Sequence, residues 1–250
     1  MFIVLSEELL SVTMNILETY RQKGWILEII EEKATGYEQK RWVDRMIEKA
    51  KNTYGADWII NADADEFWYA QSGSLKNELS QTAANVVRCP WQNMLPEDGK
   101  PFWQWTQCVC PVPDYAPYDL SPYAIYERRN KKVAHRTDGY IQISMGNHKV
   151  TMLPRHTIWS KDIVIYHFTI RGRQQFIDKM VQGGRELEKH EGKHGGRHWR
   201  YFYELYKQGK LEQEYERVVG LNSYDRLRQD GYIKDCTSLE QLQQEFTPCD

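Results

Sequence analysis

The sequence predicts an α/β fold: a doubly wound, mostly parallel sheet in its first part, a mixed sheet in its middle, and helices at its C-terminal end. Three observations carry this expectation. Over residues 2–61, apolar runs of strand length alternate with stretches of helical spacing, the pattern of successive strand–helix–strand units with right-handed crossovers. Over 126–168, strand-like runs follow one another with no helix between them. From 174 to 219, apolar residues recur at helical spacing.

In chain order, residues 2–5 read as a strand and 9–23 as a helix, with Leu9, Leu10, Met14 and Leu17 on one side and Gly24 as its stop. Residues 25–30 read as a second strand. A second helix covers 37–54, with Trp42, Met46 and Ala50 on one side and Gly55 at its end, and a third strand covers 58–61. A polar connector of some helical character spans 71–84, and a strand over 85–89 is stopped by Pro90. Between 91 and 122, Pro96, Pro101, Pro111, Pro113, Pro117 and Pro122 deny a long helix, leaving loop with short strands. Long ordered loops often bind or cover a substrate; shielding a sheet edge is the alternative. Strands follow over 126–134, 140–145, 149–152 and 163–168, then a helix over 174–190 and a basic, Gly-rich loop over 192–197. Helices over 198–208 and 211–219 are broken at Gly209, and little pattern remains after Tyr224. These elements divide into segments 1–84, 85–170 and 171–250 of one continuous domain.

A chain of 250 residues can bury a substantial core. A net charge of −2 argues against a general nucleic-acid binder. The 9 Trp and 16 Tyr fit a packed aromatic core or sugar-facing platforms. No apolar run approaches the ~18 residues of a membrane span, and no basic-plus-apolar leader opens the chain. Five cysteines, an odd number without Cys-x-x-Cys, predict a reducing compartment rather than a disulfide framework. The expected location is cytoplasmic.

The stretch 56–69 carries the densest chemistry. Trp58, Ile59 and Ile60 form an apolar run that ends in Asp63, Asp65 and Glu66. Ligands of open α/β sheets bind beyond the carboxyl ends of strands. Two carboxylates one residue apart suit a hard divalent cation. Spacing alone fits equally well acids that cap a strand end or a turn.

The segment Asp57-Trp58-Ile59-Ile60-Asn61-Ala62-Asp63-Ala64-Asp65-Glu66-Phe67-Trp68 resembles the D-x-D-E-F segment of family 2-like glycosyltransferases with the GT-A fold. Three later segments resemble the same family in the same order: Lys132-Val133-Ala134-His135-Arg136, Gly146-Asn147-His148, and Tyr166-His167-Phe168-Thr169-Ile170-Arg171 running on to Gln175-Phe176-Ile177-Asp178-Lys179. The resemblance implies a GT-A-like sheet with a nucleotide-sugar half over 1–84, an acceptor-side half over 85–170 and a C-terminal helical segment. It implies inverting transfer of a sugar from a nucleotide-sugar donor to a glycan or lipid-linked acceptor, as in cell-surface polysaccharide synthesis, with Mn²⁺ or Mg²⁺ as cofactor.

By the same resemblance, Asp63 faces the ribose or the metal, Asp65 is a direct metal ligand, and Glu66 supports the metal or substrate, a turn cap being its plain alternative. His167 is the late metal ligand at a strand end, its alternative a hydrogen-bonded structural histidine. Arg171 is a diphosphate clamp, and Lys179 and Arg173 are weaker phosphate contacts. Asn147 and His148 lie by the donor sugar, where His148 bonds a hydroxyl or takes the acceptor proton, or is simply a turn residue. His135 and Arg136 support the acidic site electrostatically. The general base is open among Asp114, Asp119 and Asp138. His190, His194 and His198 read as a solvated face without the partners of a zinc site.

The chain departs from the family at its start. Leu5-Ser6-Glu7-Glu8-Leu9-Leu10-Ser11 stands where an Asp-Asn-x-Ser-x-Asp-like turn is expected, and the family's first strand and helix have no counterpart before Phe2. The expectation is a truncated transferase that binds nucleotide weakly and associates through an uncovered sheet edge. Two rival readings are a non-catalytic remnant that binds nucleotide or sugar, and a nucleotidyltransferase. A Gly-rich phosphate loop near the N-terminus favours the latter, and none is visible.

Overall fold

The computed structural model describes residues 2–6, 10–32, 39–127, 131–189 and 196–246. In chain order the elements are β1 (Phe2–Ser6), α1 (Leu10–Gln22), β2 (Glu28–Glu32), α2 (Gln39–Tyr54), β3 (Trp58–Ile60), β4 (Glu66–Ala70), α3 (Leu75–Ser80), β5 (Val86–Asn93) and β6 (Gln107–Val109). Then come β7 (Lys131–Arg136), β8 (Tyr140–Ile143), β9 (Val150–Met152), β10 (Thr157–Trp159), β11 (Ile163–His167), α4 (Arg173–Lys189), α5 (Arg197–Lys207), α6 (Leu211–Val219), α7 (Tyr224–Gln229), β12 (Ile233–Asp235) and α8 (Leu239–Phe246). The chain is mixed α/β and forms two compact units, residues 1–61 with 134–155 and residues 62–133 with 156–250.

In the first unit, β1 and β2 pair in parallel, Phe2 opposite Glu28, with α1 as the crossover that parallel pairing requires. The second strand begins three residues later than its apolar run. Gly24 adopts φ 75°, and the N–H groups of Trp25 and Ile26 both donate to the Tyr20 carbonyl, so these residues close α1 instead of entering the sheet. Along α2, Val43, Ile47 and Ala50 recur at helical spacing and are buried. β3 corrects an expectation: it runs antiparallel to the end of β7, Trp58 opposite Arg136 and Ile60 opposite Ala134. Strand–helix alternation along a chain does not specify which strand lies beside which. Among the described ladders, β3·β7, β4·β11, β6·β12 and β8·β9 are antiparallel, and only β1·β2, β5·β10 and β5·β11 are parallel. The strand pairing is therefore mixed rather than mostly parallel.

In the second unit the strand order is β7-β5-β11-β4, with β10 also on β5. Pro90 does not end its strand, contrary to expectation. β10 pairs with β5 over Val86, Val87 and Arg88, while β11 pairs over Trp91, Gln92 and Asn93. Pro90 thus lies where the ladder changes partner, a position that tolerates a missing N–H. The weakly patterned tail is ordered into α7, β12 and α8, with β12 antiparallel to β6. A three-residue strand, Ile-Lys-Asp, is too short to display alternation.

Helices α4 to α7 share one core: Phe176 and Met180 of α4, Phe202 of α5, Leu211, Tyr215 and Val218 of α6, and Leu227 of α7 pack with Tyr126. Gly184 permits the close contact between α4 and α5, since a Cβ there would stand 2.3 Å from the Tyr203 Cβ. No helix among the described residues is long and apolar enough to cross a membrane. Cys89, Cys108, Cys110 and Cys236 form no disulfide. His190, His194 and most of the Gly-rich loop lie outside the described residues, as does the centre of the 5–11 segment.

Candidate functional site

Five of the residues singled out in the sequence converge in the second unit: Asp63, Asp65, Glu66, His167 and Lys179. Residues 63–66 form a tight turn closed by the Glu66 N–H donating to the Asp63 carbonyl at 3.1 Å. Glu66 is more than a cap. It opens β4 and is buried, directly opposite His167 in the antiparallel ladder with β11. Opposed residues of such a ladder project to one face. The Phe168 N–H donates to the Asp65 carbonyl at 2.8 Å, which ties the turn to the end of β11.

The two aspartates face different partners. The Asp63 Oδ2 accepts from the Lys132 ammonium at 2.7 Å, and Glu66 Oε1 lies 3.0 Å from the same nitrogen. The Asp65 Oδ2 is 3.3 Å from Lys179 Nζ, and its Oδ1 is 3.9 Å from His167 Nε2, beyond hydrogen-bond length.

His167 is held in one tautomer. The Asn93 Nδ2 donates to the Ile125 carbonyl at 2.7 Å, so its Oδ1 accepts from His167 Nδ1 at 2.7 Å. Nδ1 therefore carries the hydrogen, and Nε2 turns a lone pair toward the Asp65 carboxylate. The imidazole also stacks on Trp91, centroids 4.5 Å apart. Burial, aided by Lys179 and Lys132 and opposed by Asp65, pushes the His167 pKa down to about 4. Burial pushes Glu66 up to about 7, with Lys132 pulling the other way.

A neutral imidazole nitrogen and a carboxylate oxygen facing one another are two acceptors with no donor between them. That donor set suits a divalent cation, and Asn93 supplies the outer hydrogen bond that commonly orients a ligating histidine. Asp65 and His167 fit the implied metal. Asp63 is already engaged by Lys132. Among the described residues, no group of three or more His, Cys, Asp or Glu is arranged to hold an ion.

The remaining candidates are placed as follows. The Arg171 side chain is exposed, and its backbone N–H donates to Gln175 Oε1 at 2.9 Å. Arg173 pairs with Glu216 at 3.2 Å and lies over the Tyr215 ring, a structural role. Arg136, Asn147 and His148 belong to the other unit. There Arg136 covers the Trp58 ring, and Asn147 is buried at φ 60° in a turn between β8 and β9. The glycine of that turn is required: Gly146 has φ 72°, and a Cβ on it would come within 2.9 Å of the His148 ring. His135 is a core histidine, fully buried and stacked on Tyr140, with its pKa pushed down by burial. Asp114 accepts from the Ala116 N–H, Asp119 pairs with Arg217, and Asp138 stands exposed 4.0 Å from Lys51.

Lys132, Asn93 and Trp91 carry no role in the sequence reading. Lys132 had no distinct signal, because its strand reads Lys-Lys-Val-Ala-His-Arg and nothing in that run marks which basic residue is buried. The other two are set by the β5·β11 register, which puts Asn93 opposite His167. Compared with protein-family models and with curated proteins, the chain matches none.

The two shifted groups make a pH prediction for metal-free protein. Between its ordinary 4.5 and about 7, Glu66 is protonated in the native state and ionised in the unfolded one, so its contribution to stability falls as pH rises. Between about 4 and its ordinary 6.5, His167 is neutral when folded and protonated when unfolded, so its contribution falls as pH drops. The two slopes oppose one another over 4.5–6.5. Glu66→Gln is expected to uncover the histidine's slope, giving a steeper acid loss than wild type and a flatter profile from 6.5 to 7.5. Urea unfolding with chelator across this range measures it; superimposable profiles for the two proteins refute it.

Proposed function

We propose that this chain is a metal-dependent glycosyltransferase of the nucleotide-sugar class, in which Asp65 and His167 hold Mn²⁺ or Mg²⁺. The observation that carries this reading is the fixed His167 tautomer, whose Nε2 lone pair faces the Asp65 carboxylate at 3.9 Å. When bound, such an ion offsets the negative charge that builds on a departing diphosphate. The chain's own groups do the rest. Asn93 and Trp91 hold the imidazole in place. Lys179, 38% exposed, can exchange its Asp65 partner for a phosphate oxygen, and exposed Arg171 is a second anion contact. Inverting chemistry, a glycan or lipid-linked acceptor, cell-surface polysaccharide assembly and a cytoplasmic location rest on the four-segment resemblance.

One observation favours the rival reading of a non-catalytic nucleotide- or sugar-binding remnant: both aspartates already have a lysine partner within the protein. One experiment separates the two. Incubation with a panel of sugar nucleotides and Mn²⁺ is expected to release nucleoside diphosphate from at least one, and chelator is expected to stop it. Nucleotide binding without release supports the remnant, and release insensitive to chelator sinks the metal reading.

A further inference from the structure

We propose that Lys132 is a built-in cation of the 63–66 turn, taking Asp63 and Glu66 as its own partners and leaving Asp65, paired with the more exposed Lys179, as the carboxylate that faces His167. The part that concerns metal binding rests on the function proposed above.

Lys132 is 1% exposed and lies on β7 beside buried Val133. An ammonium so placed is tolerated only when paired. Its partners are the Asp63 Oδ2 at 2.7 Å and Glu66 Oε1 at 3.0 Å. Glu66 Oε2 also accepts from the Asp63 N–H at 3.3 Å. The lysine therefore joins the first and last residues of the turn from its buried side. Asp63, 44% exposed, keeps a face toward solvent, where it can meet a substrate hydroxyl. Buried Lys132 cannot swing away from Asp63 Oδ2 and its charge opposes a second cation there, whereas Lys179, 38% exposed, can leave Asp65. The turn thus carries three carboxylates with two destinations: Asp63 and Glu66 to the lysine, Asp65 to the histidine. A lysine so used positions the turn without itself touching substrate.

The test has a stability arm and a binding arm. Lys132→Met strands two carboxylates and is expected to lower the thermal midpoint or prevent folding. Lys132→Met with Glu66→Gln removes the buried charge on both sides and is expected to recover most of the loss. In the binding arm, Mn²⁺ titration of the whole chain is expected to show Asp65→Asn weakening affinity more than tenfold and Asp63→Asn less than threefold. In the Lys132→Met, Glu66→Gln background Asp63 is released, so adding Asp63→Asn should now weaken Mn²⁺ binding about tenfold, a coupling that a purely structural lysine would not produce.

Equal losses for Asp63→Asn and Asp65→Asn in the wild-type background overturn the proposal. So does a Lys132→Met protein as stable as wild type, or a double variant no better folded than the single. If wild type binds no Mn²⁺, the proposed function fails by itself, and the stability arm alone decides the role of the lysine.

Discussion

Asp65→Asn is expected to lower metal-dependent release of nucleoside diphosphate at least ~100-fold, about 3 kcal/mol of transition-state stabilisation, while moving the thermal midpoint little. The large effect follows from ligand chemistry: an amide oxygen is a neutral, poorer donor for a hard divalent ion, and Asp65 is the carboxylate that His167 Nε2 faces. The small effect follows from what the side chain does in the fold. Its partner Lys179 is 38% exposed, so the ion pair contributes at most ~1 kcal/mol. The contact that ties the turn to β11 runs through the Asp65 carbonyl, which the substitution leaves in place. Parallel measurement of thermal unfolding and diphosphate release checks both halves. A variant that is equally active with and without chelator would show that Asp65 holds no metal.

The elements built from local pattern were legible in the sequence. The helical spacing over 37–54, the stop at Gly55 and the break at Gly209 place helices within a residue or two of their ends, although the buried face of α2 carries Val43 and Ile47 in place of the expected Trp42 and Met46. Partnership was not legible. Nothing near Trp58 says that β3 takes β7 as an antiparallel neighbour, and nothing near Pro90 says that β5 changes partner there. The candidate site divides along the same line. Asp65 and His167 lie in motifs and come together, although over a hundred residues separate them. Asn93 and Lys132 act through register: one lies opposite His167 across β5·β11, and the other reaches the turn from β7. Glu66 shows the limit most clearly. Among acids at a strand end it reads as a support of the metal or as a cap; it does accept the Asp63 N–H, but its burial comes from the ladder with β11, which carries it into the interior and shifts its titration.

Phe168→Ala is expected to destabilise the protein by about 3–5 kcal/mol, a large share of the ~5–15 kcal/mol that holds a typical domain folded. Phe168 is fully buried, with the rings of Phe67, Phe102 and Trp105 at centroid distances of 5.5, 5.2 and 5.8 Å. Truncation opens a cavity among aromatic walls that relax only partly to fill it. Phe67 is partly exposed and can lean inward, which favours the lower end of the range. Phe168→Leu keeps most of the volume and should cost less than half as much.

The cavity should also be felt at the site, because the Phe168 N–H holds the Asp65 carbonyl and His167 precedes it in the chain. Leu227→Ala, in the core shared by the helices, provides the comparison, with an expected cost of about 2–5 kcal/mol. Under conditions where both variants are folded, Phe168→Ala should weaken Mn²⁺ binding several-fold and Leu227→Ala should not. Urea unfolding gives the stabilities, and metal titration gives the affinities. Equal weakening in both variants would mean that the site follows global stability rather than the packing beneath β11.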